Sequence, residues 1–155
     1  MDFEKNFVGI NLILGPRQSG KSYLLEGISR WICNKLILEM DDNKNIFNSL
    51  KEVFYHFSRN NFYVFMVLEN YSLIPANIRM MIDRIIFTDW RVMNQYLIKH
   101  EEHITKIEEY SALLELMKVK NFRVMVDFRK HDLMIIPYNS LSLIYYCEYS
   151  AEDKT

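Results

Sequence analysis

The chain has 155 residues, half of them hydrophobic and 14% aromatic, with a net charge of −1 at neutral pH. That length supports one domain with a single developed core, and the balanced charge excludes a broad basic field for nucleic acid. No apolar run approaches the roughly 18 residues that span a bilayer. The N-terminus Met1–Asn6 lacks the basic-then-apolar layout of a secretion signal, which points to an intracellular protein with Cys33 and Cys147 as reduced, unpaired thiols.

In chain order, the first predicted strand is Phe7–Leu14. It runs directly into Gly15-Pro16-Arg17-Gln18-Ser19-Gly20-Lys21-Ser22, a complete G-x-x-x-x-G-K-[ST] pattern holding two of the four glycines in the chain. Leu24, Leu25, Ile28, Trp31 and Ile32 then recur at helical spacing on one stripe. A second strand covers Lys35–Met40 and closes on Asp41-Asp42-Asn43. Ile46, Phe47, Leu50, Val53, Phe54 and Phe57 mark the next helix, which stops at Ser58–Asn61. Phe62–Leu68 reads as a buried strand, Tyr71–Pro75 as a loop, and Pro75 as the opening of a short helix. Ile85–Phe87 is a short strand, a long helical region carries Met93 through Met117, and Phe122–Phe128 and Leu143–Tyr149 are the last strands. This alternation predicts an α/β domain with a mainly parallel central sheet, and the G-x-x-x-x-G-K-[ST] pattern after the first strand makes the expected architecture a three-layer P-loop NTPase with that sheet flanked by helices. It occupies residues 1–150, with 151–155 a frayed tail.

The chemistry follows from the loop. A strand delivers the chain to a turn of inward-pointing N–H groups, and the next helix aims its positive dipole end at the same place, which suits phosphate. Lys21 is placed to reach the β- and γ-phosphates of ATP, and the Ser22 hydroxyl to ligate Mg²⁺. Hydrolysis also needs carboxylates. Asp41 is the candidate metal residue and Asp42 the candidate general base at the end of Leu36–Met40. The same acidic end also suits capping of the following helix. Glu69, after the apolar run 62–68, is the competing carboxylate, or else a sensor of the γ-phosphate. Two basic clusters, Lys118-Val119-Lys120 with Arg123 and Arg129-Lys130-His131, are candidate DNA contacts, although such clusters are more often ordinary solvated faces. His100 and His103 have helical spacing but no third metal ligand near them in sequence, so a solvated face is the better reading.

With these pieces placed, the chain resembles the poxvirus-type genome-packaging ATPases of DNA viruses, in the FtsK–HerA branch of P-loop ATPases. The residues that carry the resemblance are the loop Gly15–Ser22, the acidic strand Leu36–Asp42, the segment Leu68–Arg79, and the later strands Asp83–Phe87 and Phe122–Asp127. The resemblance implies a homo-oligomeric ring that drives duplex DNA into a capsid, with a capsid or portal protein as partner, inside the host cell at the site of virion assembly. It also implies an arginine finger, for which Arg79 is the candidate. The chain departs from that family in carrying Glu69 where glutamine is usual and Met80 or Met81 where asparagine is usual. The interval between Ser22 and Asp41 holds only one helix and one strand. Two other functions fit a phosphate loop in a chain of this size: a small-molecule (nucleotide) kinase, and a nucleotide-binding assembly subunit with weak or no turnover.

Overall fold

A computed structural model describes residues 3–32, 35–39, 63–100, 107–120, 122–138 and 142–148. After a 3₁₀ turn at Phe3–Phe7, the described strands are β1 (Gly9–Leu14), β2 (Lys35–Glu39), β3 (Tyr63–Leu68), β4 (Arg84–Phe87), β5 (Phe122–Asp127), β6 (Asp132–Pro137) and β7 (Ile144–Glu148). The helices are α1 (Lys21–Ser29), α2 (Ala76–Arg79), α3 (Trp90–His100) and α4 (Ile107–Val119). The predicted helix at 46–57 and the carboxylates Asp41 and Asp42 lie outside the described residues.

The strands form one sheet in the order β2-β3-β1-β4-β5-β6-β7. β1 pairs in parallel with β3 and β4, and β2 in parallel with β3. Beyond β4 every pairing is antiparallel. The expected mainly parallel sheet is therefore a mixed one. Parallel neighbours need a crossover, whereas β5 and β6 are joined by the short turn at Phe128–His131, which imposes an antiparallel hairpin. β6 has no counterpart in the sequence reading, and Phe7 falls in the 3₁₀ turn rather than in β1.

Every residue of β1 is buried, as expected of a central strand covered on both faces. Side-chain alternation sorts the core into two clusters. Ile10, Leu12 and Leu14 pack with residues of α2, α3 and α4 on one face, among them Ile78, Met93 and Leu113. Ile13, Phe65, Ile86 and Met125 pack with Leu24 and Ile28 of α1 on the other. Helices thus cover both faces, giving the three layers. Trp31, expected on the buried stripe, is instead 62% exposed, because α1 ends at Ser29 and the stripe passes to Ile32. No helix among the described residues is long and apolar enough to cross a membrane.

Candidate nucleotide-binding site

The sheet order places a crevice beside β1. From β1 the chain passes through α1 to β2 on one side. From β3, the immediate neighbour of β1, it passes to β4 on the other side of β1. Two adjacent parallel strands whose connections depart in opposite directions open a crevice at their carboxyl ends, the general ligand position in open α/β sheets. Leu14 and Leu68 end those strands in register, and Gly15 N–H extends the ladder by donating to Leu68 O at 3.1 Å. The phosphate-loop sequence begins at that residue.

The loop is held from β4. Thr88, directly after that strand, donates its N–H to Leu14 O at 3.0 Å and its hydroxyl to the same oxygen at 3.2 Å. Its Oγ1 also lies 2.7 Å from Ser19 Oγ. A Cβ on Gly15 would overlap Thr88 Oγ1, so only glycine allows the two hydroxyls to meet beneath the loop. Gly20 enters α1 in the left-handed region (φ +88°), where glycine carries no steric penalty. No side chain caps α1, and its first turn carries no acidic residue. The helix thus begins with amide donors and a positive dipole end that nothing in its own first turn neutralises.

Lys21 donates through Nζ to Gly15 O, folding across the mouth of the loop. Burial pulls its pKa below the ordinary lysine value, while Glu69 acts in the opposite sense and Arg17 adds to the lowering. Glu69 itself follows β3 and accepts from Arg17 Nε at 3.2 Å. Arg17 is 90% and Glu69 53% exposed, so this bridge contributes little stability, about 0–1 kcal/mol. It does set a carboxylate and a guanidinium of the predicted site across the crevice between β1 and β3.

Arg79 is turned back on its own segment. Its Nε donates to Ile74 O at 2.6 Å and Nη2 to Ser72 O at 3.4 Å, with the guanidinium over the Tyr71 ring. Of the basic clusters, Arg123 is 1% exposed, which removes it from any surface for DNA. Arg129 and Lys130 lie at the opposite edge of the sheet, engaged with Val8, Asp83 and Asn6. Among the described residues no group of three His, Cys, Asp or Glu is placed to hold a metal. Mg²⁺ does not require one, since it keeps several waters and binds through one or two protein oxygens plus phosphate. The Ser22 hydroxyl at the start of α1 fits that donor chemistry.

Comparisons of the chain with protein-family models, with curated proteins and with solved structures find no match. The site is therefore defined by its own residues. The sequence reading omits Thr88 and Tyr138 and takes Arg123 only as a candidate DNA contact, whereas the β4–β5–β6 pairings bring all three to the loop. Phe87 registers with Val124, and Arg123 with Ile136, so Arg123 and Tyr138 share an edge with Gly15. A polar residue immediately after the short strand Ile85–Phe87 was the one signal available for Thr88.

Proposed function

We propose that this chain is a P-loop ATPase that binds Mg-ATP on Gly15–Ser22 and hydrolyses it, working as a subunit of a DNA-packaging or translocation motor of a DNA virus. The observation that carries the nucleotide reading is the seating of an intact phosphate loop on the switch crevice between β1 and β3, entering an uncapped helix through a left-handed glycine. The loop amides would receive the phosphates and Lys21 would exchange its bond with Gly15 O for the β- and γ-phosphate oxygens. Ser22 and Asp41 would hold Mg²⁺, which neutralises phosphate charge when bound. Asp42 would take the proton of the attacking water. Glu69 stands in the crevice as the sensor candidate. The motor role rests on the resemblance alone, and Arg79 would serve it only by leaving its contacts with Ser72 and Ile74.

The test is phosphate release with ATP and Mg²⁺, with and without duplex DNA. Lys21→Ala is expected to abolish turnover and weaken ATP binding at least a hundredfold, and duplex DNA to raise the wild-type rate. A strictly monomeric protein indifferent to DNA would defeat the motor reading. One observation favours a second reading, a nucleotide-binding subunit with weak turnover. Glu69, the described carboxylate beside the loop, is paired with Arg17 rather than left to orient water. Tight ATP binding with no phosphate release, unchanged in Asp42→Asn, would select it. Transfer of phosphate to a nucleoside monophosphate would select a kinase instead.

A further inference from the structure

Arg123 is a buried cation with an incomplete set of partners. Its Nη1 donates to Pro137 O at 3.2 Å, while Nε and Nη2 find no hydrogen-bond partner among the described residues. Burial lowers its pKa, although the nearby Tyr138 and Tyr23 hydroxyl groups act in the opposite sense. An arginine in that condition costs stability that an apolar residue of similar volume would not. What it does touch is aromatic. The guanidinium carbon lies 4.5 Å from the Tyr138 ring centre and 5.9 Å from that of Tyr23. The two rings are parallel within 4° at 5.7 Å.

This cluster stands against the phosphate loop. Tyr23 is the residue after Ser22, in the first turn of α1, and is 57% exposed. Tyr138 follows β6, and its hydroxyl oxygen lies 2.7 Å from where a Cβ on Gly20 would sit. With loop amides cradling the phosphates, the sugar and base of a nucleotide lie outside the loop, where Tyr23 in the first turn of α1 and Tyr138 against Gly20 are the adjoining aromatic groups. An aromatic pair fixed at that turn by a cation is a stacking surface, since every base presents a π-face whatever its hydrogen-bonding pattern.

We propose that Tyr23 and Tyr138, held by Arg123, form the platform on which the nucleobase of the bound nucleoside triphosphate stacks. The proposal rests on the nucleotide-binding reading of Gly15–Ser22 and adds the part of the ligand that the loop does not recognise.

Calorimetry on the full chain with Mg²⁺ separates the two. ATP is compared with ribose 5-triphosphate, which has the same sugar and phosphates and no base. ATP is expected to bind at least about tenfold more tightly than ribose 5-triphosphate. Tyr23→Leu and Tyr138→Leu should erase that advantage while leaving the affinity for ribose 5-triphosphate unchanged, and Tyr138→Phe should keep it. Equal affinities for the two ligands in the wild type, or leucine variants that retain the advantage, would overturn the platform and leave the phosphate site standing. Binding of neither ligand would remove the nucleotide reading and the platform with it. Should Tyr138→Leu fail to fold, the exposed Tyr23 carries the same comparison.

Discussion

Gly20 holds a left-handed conformation at the entry to α1 and has Tyr138 pressed against the space where a side chain would go. Gly20→Ala is expected to cost about 1–2 kcal/mol from the backbone conformation alone, with a further loss as Tyr138 is displaced. Urea unfolding followed by circular dichroism measures this, and an unchanged midpoint would contradict it. Thr88→Val removes a hydroxyl that serves both Leu14 O and Ser19, so a loss of about 1 kcal/mol is expected in the same assay. Nucleotide affinity should also weaken as Ser19 loosens. At this scale the sequence was partly legible. The G-x-x-x-x-G-K-[ST] spacing of Gly15, Gly20, Lys21 and Ser22 lies within eight residues, so the phosphate-loop pattern itself is visible without any knowledge of the fold. Thr88, Arg123 and Tyr138 are remote in the chain, and only strand register brings them there. Arg123 belongs to a strand that the sequence does show, but its burial depends on β6 pairing along the far side of β5, and β6 is not visible in the sequence.

Among the elements, β4 and β5 carry a polar knot inside an apolar sheet. Arg84 Nε donates to Asp127 Oδ2 at 3.0 Å, and its Nη1 to Val8 O at 2.6 Å and Asn11 Oδ1 at 3.3 Å. Asn11 in turn donates to Phe7 O at 2.7 Å and Val64 O at 3.2 Å. Arg84 and Asp127 are 2% and 1% exposed. Removing one partner strands the other charge, so Asp127→Ala should cost about 3–5 kcal/mol in chemical denaturation. Replacing both, as Arg84→Met with Asp127→Leu, should recover much of that loss, and a double variant as unstable as the single one would refute the pairing argument. The strands themselves were legible where apolar runs were unbroken, as in β3 and β5. β6 escaped because its apolar run, Leu133–Ile136, is enclosed by Asp132 and Pro137 and its buried positions, Leu133 and Ile136, do not alternate. Proline at that terminal position is compatible with a strand.

For the whole molecule, the number of layers was readable from alternating periods, whereas the direction of the later strands was not. Direction depends on connection length, and a four-residue turn between β5 and β6 is invisible until β6 is recognised. The resulting sheet is graded. β1 has partners on both sides and helices on both faces, while β7 pairs only with β6 among the described residues, and across a register irregularity at Leu133/Met134. Amide hydrogen exchange should therefore be slowest in Gly9–Leu14 and much faster in Ile144–Glu148. Protection of β7 equal to that of β1 would show that the sheet opens only as a unit.

The Arg84–Asp127–Asn11 knot and the phosphate loop occupy opposite edges of the same strands, and this separation has a consequence for descent. Substitutions at Arg17, Glu69, Tyr23 or Thr88 fall far from that buried network, so their effects should add to those of changes at Asp127 rather than compound them. In the proposed ATPase, affinity or turnover would then be tunable one residue at a time at one edge. The other edge, where a single exchange strands a charge, admits change only through paired steps.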